Sequence, residues 1–425
     1  MTTHRDVPNA TFIKSVLVAL AFLVLLPASP AQTGNKTTIH NFNPSVDGTQ
    51  PSGRLIFDKT GALYGTTTSS PGPNCYDGDE CGTVYKLLPP LWKEAILYTF
   101  GDAANDGNGR PYNGVALDQA GNIYGSDLFD IFQLTPDGST LPWSFSPMYI
   151  GAANPSLSTP LPGPSGSFYF TSSDGDFDEL GSVIQLTPQN GTWFATTLYT
   201  FTGQTDGYLP NDGVISDRKG NLYGTTEGSY VNPNNCGTIY ELTPNAGRTV
   251  WTQATIHIFS GPDGCGGTLL PMIFDTKGNL YGTSESGGSS TNCIGGCGVV
   301  FELSPPATES GDWQLTVLYS FRGGNDGNAP QGLAIDSAGV LYGTTIQGGT
   351  GRCDFNYQSV GCGTVYQLSP STGISWTKTT LHNFQAGKDG AEPYGGVTIG
   401  PDGALYGTTF LFGEFIGGTV FRIPR

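Results

Sequence analysis

A seven-bladed β-propeller is the fold this sequence predicts, and three observations predict it. One motif recurs along nearly the whole chain. Each copy holds four strand-like segments. The two chain ends carry complementary parts of one copy. The motif is G-x-L-Y-G-T-T. Its tyrosine falls at Tyr64, Tyr124, Tyr169, Tyr223, Tyr281, Tyr342 and Tyr406, at spacings of 60, 45, 54, 58, 61 and 64 residues, with a mean of 57. A fixed period of this size is the signature of a repeat architecture.

Within each copy, segment a reads G-x-x-x-D, as in Gly114 to Asp118, Gly213 to Asp217 and Gly332 to Asp336. Segment b is the tyrosine motif, as in Asn221 to Thr226. Segment c reads G-T-V-Y-x-L, as in Gly82 to Leu87, Gly237 to Leu242, Gly363 to Leu368 and Gly418 to Ile423. Segment d runs from a tryptophan to an aromatic pair, as in Trp193 to Phe201. All are rich in β-branched and aromatic residues and are bounded by Gly, Asn, Asp and Pro, which is how short strands read. No window sustains a helical period.

The ends decide between a closed ring and a linear β-solenoid. The segment Thr37 to Phe42 (T-T-I-H-N-F) reads as a d strand, like T-T-L-H-N-F at 379–384. The last segment, Gly418 to Ile423, reads as a c strand. The seventh copy thus lacks the strand that segment 37–42 can supply, and such a closure leaves no long free edge.

Each of the six tryptophans (92, 143, 193, 251, 313 and 376) is followed six residues later by Tyr98, Tyr149, Tyr199, His257, Tyr319 or His382. Two residues further lies Phe100, Phe201, Phe259, Phe321 or Phe384 in five of the six. Even spacing on a regular strand places all three positions on one face. The expected role is packing between neighbouring sheets, rather than a ladder for stacking sugars.

Composition narrows function. The chain has 425 residues, with 63 Gly and 30 Pro, and 35 acids against 18 bases for a formal charge of −17. No basic stripe exists, which argues against nucleic-acid binding and docking on anionic lipid. Arg5 and Lys14 precede an apolar run from Val16 to Leu26, and small residues follow at Ser29 and Ala31. This is the pattern of a secretory signal peptide over 1–31. The run is too short to span a bilayer. The mature domain is then 32–425, secreted to the periplasm or outside, without membrane insertion and expected as a monomer.

Eight cysteines fit an exported chain. Cys81, Cys236, Cys297 and Cys362 all precede strand c, and Cys75, Cys293 and Cys353 lie 6, 4 and 9 residues upstream of three of them. Bridges 75–81, 293–297 and 353–362 are expected to staple b–c loops, and the remaining pair is 236–265. Zinc would need four such ligands to converge, which positions in different blades do not readily do.

Three sets of residues could carry chemistry. The D-G pairs at Asp47, Asp106, Asp206, Asp263, Asp326 and Asp389 fall between strand d and the next strand a. They share a rim with the long b–c loops 68–81, 227–236, 285–297 and 346–362. Loops on a rigid scaffold are where binding concentrates, so these aspartates are candidate ligand contacts as well as turn caps. Calcium is the one cofactor they leave open, although the D-x-[DN]-x-[DN]-G pattern is absent. The strand-a aspartates Asp58, Asp118, Asp217, Asp275 and Asp336 read as Asx-turn residues. Blade III is the odd copy: it lacks D-G, Phe170 replaces the motif glycine, and an acidic loop adds Asp174, Asp176, Asp178 and Glu179 as further candidates. His40, His257 and His382 take a position that is tyrosine in other copies, so no histidine suggests a catalytic triad or metal site.

Over residues 37–423 the combination L-Y-x-F, D-G, D-x-x-G-N-L-Y-G-T-T and G-T-V-Y-x-L resembles the Gloeo/Verruco (GloVer) tandem repeat of exported bacterial proteins. The D-x-x-G-N-[IL]-Y stretch is also similar to the inner hairpin of NHL- and lactonase-type propellers. The first resemblance implies export and the second supports the fold. Members of the repeat family often end in a sorting or anchor tail; this chain stops at Arg425, so a released or periplasmic product is expected. The functional expectation is a non-catalytic propeller whose loop-rich rim binds a carbohydrate or an extracellular protein. The alternatives are a structural envelope protein and a lactonase- or hydrolase-type enzyme.

Overall fold

The computed structural model describes residues 35–69, 81–101, 109–127, 130–138, 140–150, 157–173, 180–210, 212–227, 236–266, 270–308, 311–355, 358–371 and 375–425. The chain divides into two compact units, 1–32 and 33–425. The first lies outside the described residues, and so does the predicted signal segment.

The second unit is a seven-bladed β-propeller of four-stranded antiparallel sheets. Blade I comprises Ile56–Phe57, Leu63–Thr67, Thr83–Leu88 and Lys93–Thr99 as strands a to d. Blades II to VI repeat this order. In blade VII, strands a to c are Val397–Ile399, Leu405–Thr409 and Thr419–Ile423, and strand d is the N-terminal Thr37–Asn41. The closing strand pairs antiparallel with strand c, Thr37 opposite Arg422 and Asn41 opposite Thr419. The expected closure of the ring is therefore observed.

Seven apolar clusters fill the blade interfaces. The shared-face reading of the tryptophan series is overturned here. Strand d of each blade carries a β-bulge: Val84 pairs with Tyr98 and Tyr85 with Ile96, which leaves Leu97 as the extra residue. A bulge re-aims the side chains beyond it. Trp92 packs toward blade VII, while Tyr98 and Phe100 pack toward blade II. The same split separates Trp193 from Phe201 and Trp313 from Phe321. One strand thereby grips both neighbours, so the packing role stands while the geometry differs.

A second regularity lies between strands b and c. The motif glycine faces an aromatic residue across the pair: Gly65 faces Tyr85, Gly125 Phe132, Gly224 Tyr240, Gly282 Phe301, Gly343 Tyr366 and Gly407 Phe421. A Cβ on Gly282 would meet the Phe301 ring at 2.4 Å. Blade III reverses the arrangement, with Phe170 facing Ile184. Its departure from the motif is thus matched across the strand pair.

Three of the four expected disulfides are present: Cys236–Cys265, Cys293–Cys297 and Cys353–Cys362. Cys81 is also disulfide-bonded. Its expected partner, Cys75, lies outside the described residues.

Candidate functional site

In a blade whose strands run alternately up and down, the b–c and d–a connections share one rim. The inner edge of that rim surrounds the propeller axis, and the sequence places unusual residues there.

Five D-G aspartates are described: Asp47, Asp206, Asp263, Asp326 and Asp389. Each caps its own turn, accepting the backbone amide of Asn43, Thr202, Ser260, Arg322 or Gln385 respectively. Each also bonds the aromatic residue six or seven places earlier. Tyr199 and Tyr319 donate to Asp206 and Asp326 at 2.9 and 2.8 Å, and the Nε2 atoms of His40, His257 and His382 lie 2.9–3.0 Å from Asp47, Asp263 and Asp389. This explains why Tyr and His alternate at that position: both present a polar ring atom to the aspartate. Asp106, Asp174, Asp176, Asp178 and Glu179 lie outside the described residues.

The strand-a aspartates form the expected Asx turns. Asp58 accepts the amides of Thr60 and Ala62 at 2.8 and 3.0 Å, and the Tyr64 hydroxyl at 3.0 Å. Burial works to raise its pKa, but these donors hold the carboxyl below the ordinary range.

Lysine joins two of the blade interfaces. Lys378 of blade VI reaches Asp326 Oδ1 at 3.0 Å, and Lys36 of blade VII reaches Asp389 Oδ1 at 2.8 Å. At the closing interface the same strand-d position, two residues after the tryptophan, is Glu94. Its Oε1 lies 3.3 Å from His40 Nε2, which is itself 3.0 Å from Asp47 Oδ2. Burial opposes protonation of His40, yet its bonds to Asp47 and Glu94 push its pKa up to about 9. Burial pushes Glu94 up to about 7. The earlier reading of His40 as a mere tyrosine substitute missed this cluster. Its signal in the sequence was the acid at 94 where aligned copies carry Lys36 and Lys378.

Below the rim, neighbouring blades approach closely at the start of strand a. A Cβ on Gly53 would lie 2.4 Å from the Gly114 amide nitrogen, and one on Gly332 2.4 Å from a Leu270 methyl. Arg54 of blade I reaches across this level, donating from Nη2 to the carbonyls of Leu333 in blade VI and Val397 in blade VII. Desolvation by the surrounding blades lowers its pKa.

Near this level gather acids that most blades lack. Glu227 and Glu285 directly follow strand b of blades IV and V. Glu392 and Tyr394 precede strand a of blade VII, and Gln331 lies in strand a of blade VI. Gln331 is 0% exposed and donates from Nε2 to Glu285. Its Oε1 is buried with no hydrogen-bond partner. Burial raises the pKa of Glu285, and the charge of Glu227 adds to it against the Gln331 amide. Burial alone raises Glu392. Burial, then the charges of Glu392 and Glu285, push Tyr394 up to about 12. Tyr394 stacks edge-on against Phe410 at 5.2 Å. Among the described residues no cation pairs with Glu285 or Glu392. Sequence reasoning looked for repeated acids and passed over these, whose signal is that they break the repeat.

An uncompensated buried carboxylate costs stability. Because Glu285 binds its proton more tightly in the fold, stability falls as pH rises from the ordinary carboxylate range through the raised value. Glu285→Gln is therefore expected to raise Tm by about 1–2 °C at pH 8 and to give no gain at pH 4. Calorimetric melts at the two pH values check this.

Comparison with known proteins fits this architecture. The Gloeobacter/Verrucomicrobia repeat model matches residues 130–354 and 233–425, which together exceed half of the chain. The chain belongs to this repeat family. Among curated proteins, none matches the repeat protein. Solved structures similar to it include a fungal alcohol oxidase in complex with copper, at 15% identity and TM-score 0.55, covering 92% of this chain and 76% of that one. Another is the extracellular domain of a protein named as a one-component system of B. thetaiotaomicron, at 12% identity and TM-score 0.53, covering 92% and 40%. A protein named as a 6-phosphogluconolactonase, from Bacteroides uniformis, is similar at 15% identity and TM-score 0.47, covering 77% and 83%. At these identities the likeness concerns the fold alone. Among the described residues, no helix is long and apolar enough to cross a membrane.

Proposed function

We propose that this repeat protein is an exported binding propeller that takes a neutral, hydroxyl-rich ligand of carbohydrate type at the axial mouth of its loop rim. The observation that carries the reading is the buried, unpartnered Oε1 of Gln331 beside the uncompensated Glu285. A buried acceptor left unmade costs roughly 1–3 kcal/mol, and a ligand hydroxyl would satisfy it once the side chains covering Gln331 move aside to admit the ligand. The surrounding acids disfavour phosphates and other anions. The Tyr394–Phe410 pair offers an apolar face of the kind that sugar rings stack on. Disulfide-stapled loops suit an oxidising compartment.

A panel of neutral glycans, read by calorimetry, tests this. A specific ligand is expected, weakened roughly 10–100-fold by Glu285→Gln and by Gln331→Ala. Tyr394→Phe keeps the ring and serves as a milder variant. A blank panel, or affinity unchanged in Glu285→Gln, would remove the axial mouth as the site. One observation favours a second reading, a hydrolase- or lactonase-type enzyme: two carboxyls with raised pKa, Glu285 and Glu392, face one phenol. Turnover of the bound ligand would separate catalysis from binding.

A further inference from the structure

We propose that His40, Asp47 and Glu94 form a divalent transition-metal site, suited to zinc, that clamps the closing strand of blade VII to blade I. Three potential ligand atoms, one imidazole nitrogen and two carboxylate oxygens, all lie within 4.8 Å of one another. Zinc–nitrogen and zinc–oxygen bonds of about 2.0–2.2 Å in a tetrahedron put ligand atoms about 3.3–3.6 Å apart. The observed separations of 3.0 Å for His40 to Asp47 and 3.3 Å for His40 to Glu94 are close to that edge. A small outward shift of Asp47 would admit the ion.

Repeat logic gives an independent reason. The V/VI and VI/VII interfaces each place a lysine ammonium against the preceding D-G aspartate. The VII/I interface has the same aspartate and, like VI/VII, a histidine at the aromatic position, but a carboxylate where the ammonium should be. Two acids then meet where the other interfaces bring one acid and one cation. A bound cation would restore the missing positive charge.

The shell around the cluster is ordered for it. The Asn43 amide donates to Asp47 Oδ1, which leaves Oδ2 facing the cluster. The His40 ring is held edge-on to Phe42 at 4.7 Å. Glu94 Oε1 is buried and turned toward the cluster, 3.3 Å from His40 Nε2. Holding and orienting the ligands in this way raises metal affinity. On binding, the imidazole releases its proton to solvent and its Nε2 lone pair goes to the metal.

The test is a thermal-shift series on the chelator-dialysed protein against zinc, with calcium and magnesium alongside. Wild-type Tm is expected to rise with the logarithm of zinc concentration, with little response to calcium or magnesium. Two variants should abolish the rise while still folding. His40→Tyr installs the residue found at that position in four other blades, and Glu94→Lys installs the ammonium of the neighbouring interfaces. Glu94→Lys should also melt at or above the metal-free wild type. Cobalt substitution should give the visible absorption of a low-symmetry four-coordinate site in the wild type and not in Glu94→Lys. No zinc response in the wild type, or an equal response in His40→Tyr and Glu94→Lys, would overturn the proposal. The axial mouth contributes no ligand to this cluster, so either reading can fail without the other.

Discussion

Deleting residues 32–42 is expected to destabilise every blade of the ring, with Tm falling on the order of 10 °C or more. The closing strand engages three blades at once. It completes the sheet of blade VII through pairs from Thr37–Arg422 to Asn41–Thr419. Lys36 reaches back to Asp389 at the end of blade VI. Phe42, 0% exposed, packs forward on Leu55, Leu63 and Tyr85 of blade I. Burying that one ring is worth about 3–5 kcal/mol by itself. Its loss also leaves the edge of Thr419–Ile423 unpaired, and an open edge invites association between chains. Hydrogen exchange should show lost protection in blades I and VI as well as VII. Unchanged melting, or loss confined to blade VII, would show that the ring does not depend on this closure.

Almost as large an effect is expected from Gly282→Phe in blade V. Even a Cβ there would stand 2.4 Å from the Phe301 ring, so a second ring has no space. The variant should lose more than about 3 kcal/mol. Blade III contains the solution to that clash, since Phe170 faces Ile184 at the same register. Adding Phe301→Ile should therefore recover most of the loss, with a coupling of about 2 kcal/mol or more in a double-mutant cycle. The mirror experiment starts from Phe170→Gly, which opens a cavity, and repairs it with Ile184→Phe. Additive losses in both cycles would mean that the glycine–aromatic pairing is incidental.

Much of the fold was legible because it repeats. The tyrosine motif, the G-T-V-Y-x-L strands and the matching chain ends define blades and closure without any structure. The bulge in strand d was not legible: no residue type marks Leu97 as an extra residue, and the spacing from Trp92 to Tyr98 reads as regular. Only the interface shows that the strand faces two neighbours. Repetition also misled the search for a site. Aspartates present in most blades attracted attention, and the structure occupies their oxygens with turn amides and with Tyr or His. Gln331 and Glu392 each occur once at their repeat position and Glu285 shares its position only with Glu227; they lie in segments remote along the chain, and ring geometry alone gathers them. Glu94 became visible only when aligned with the lysines of neighbouring blades.

Hydrogen exchange on the protein with and without a bound neutral glycan tests the central claim most directly. The axial reading predicts protection at 282–287, 328–332 and 391–394, the segments that carry Glu285, Gln331, Glu392 and Tyr394. It predicts no change at the D-G turns around Asp206 and Asp263. Protection confined to those turns, with the axial segments unaltered, would contradict it and move the site to the outer rim.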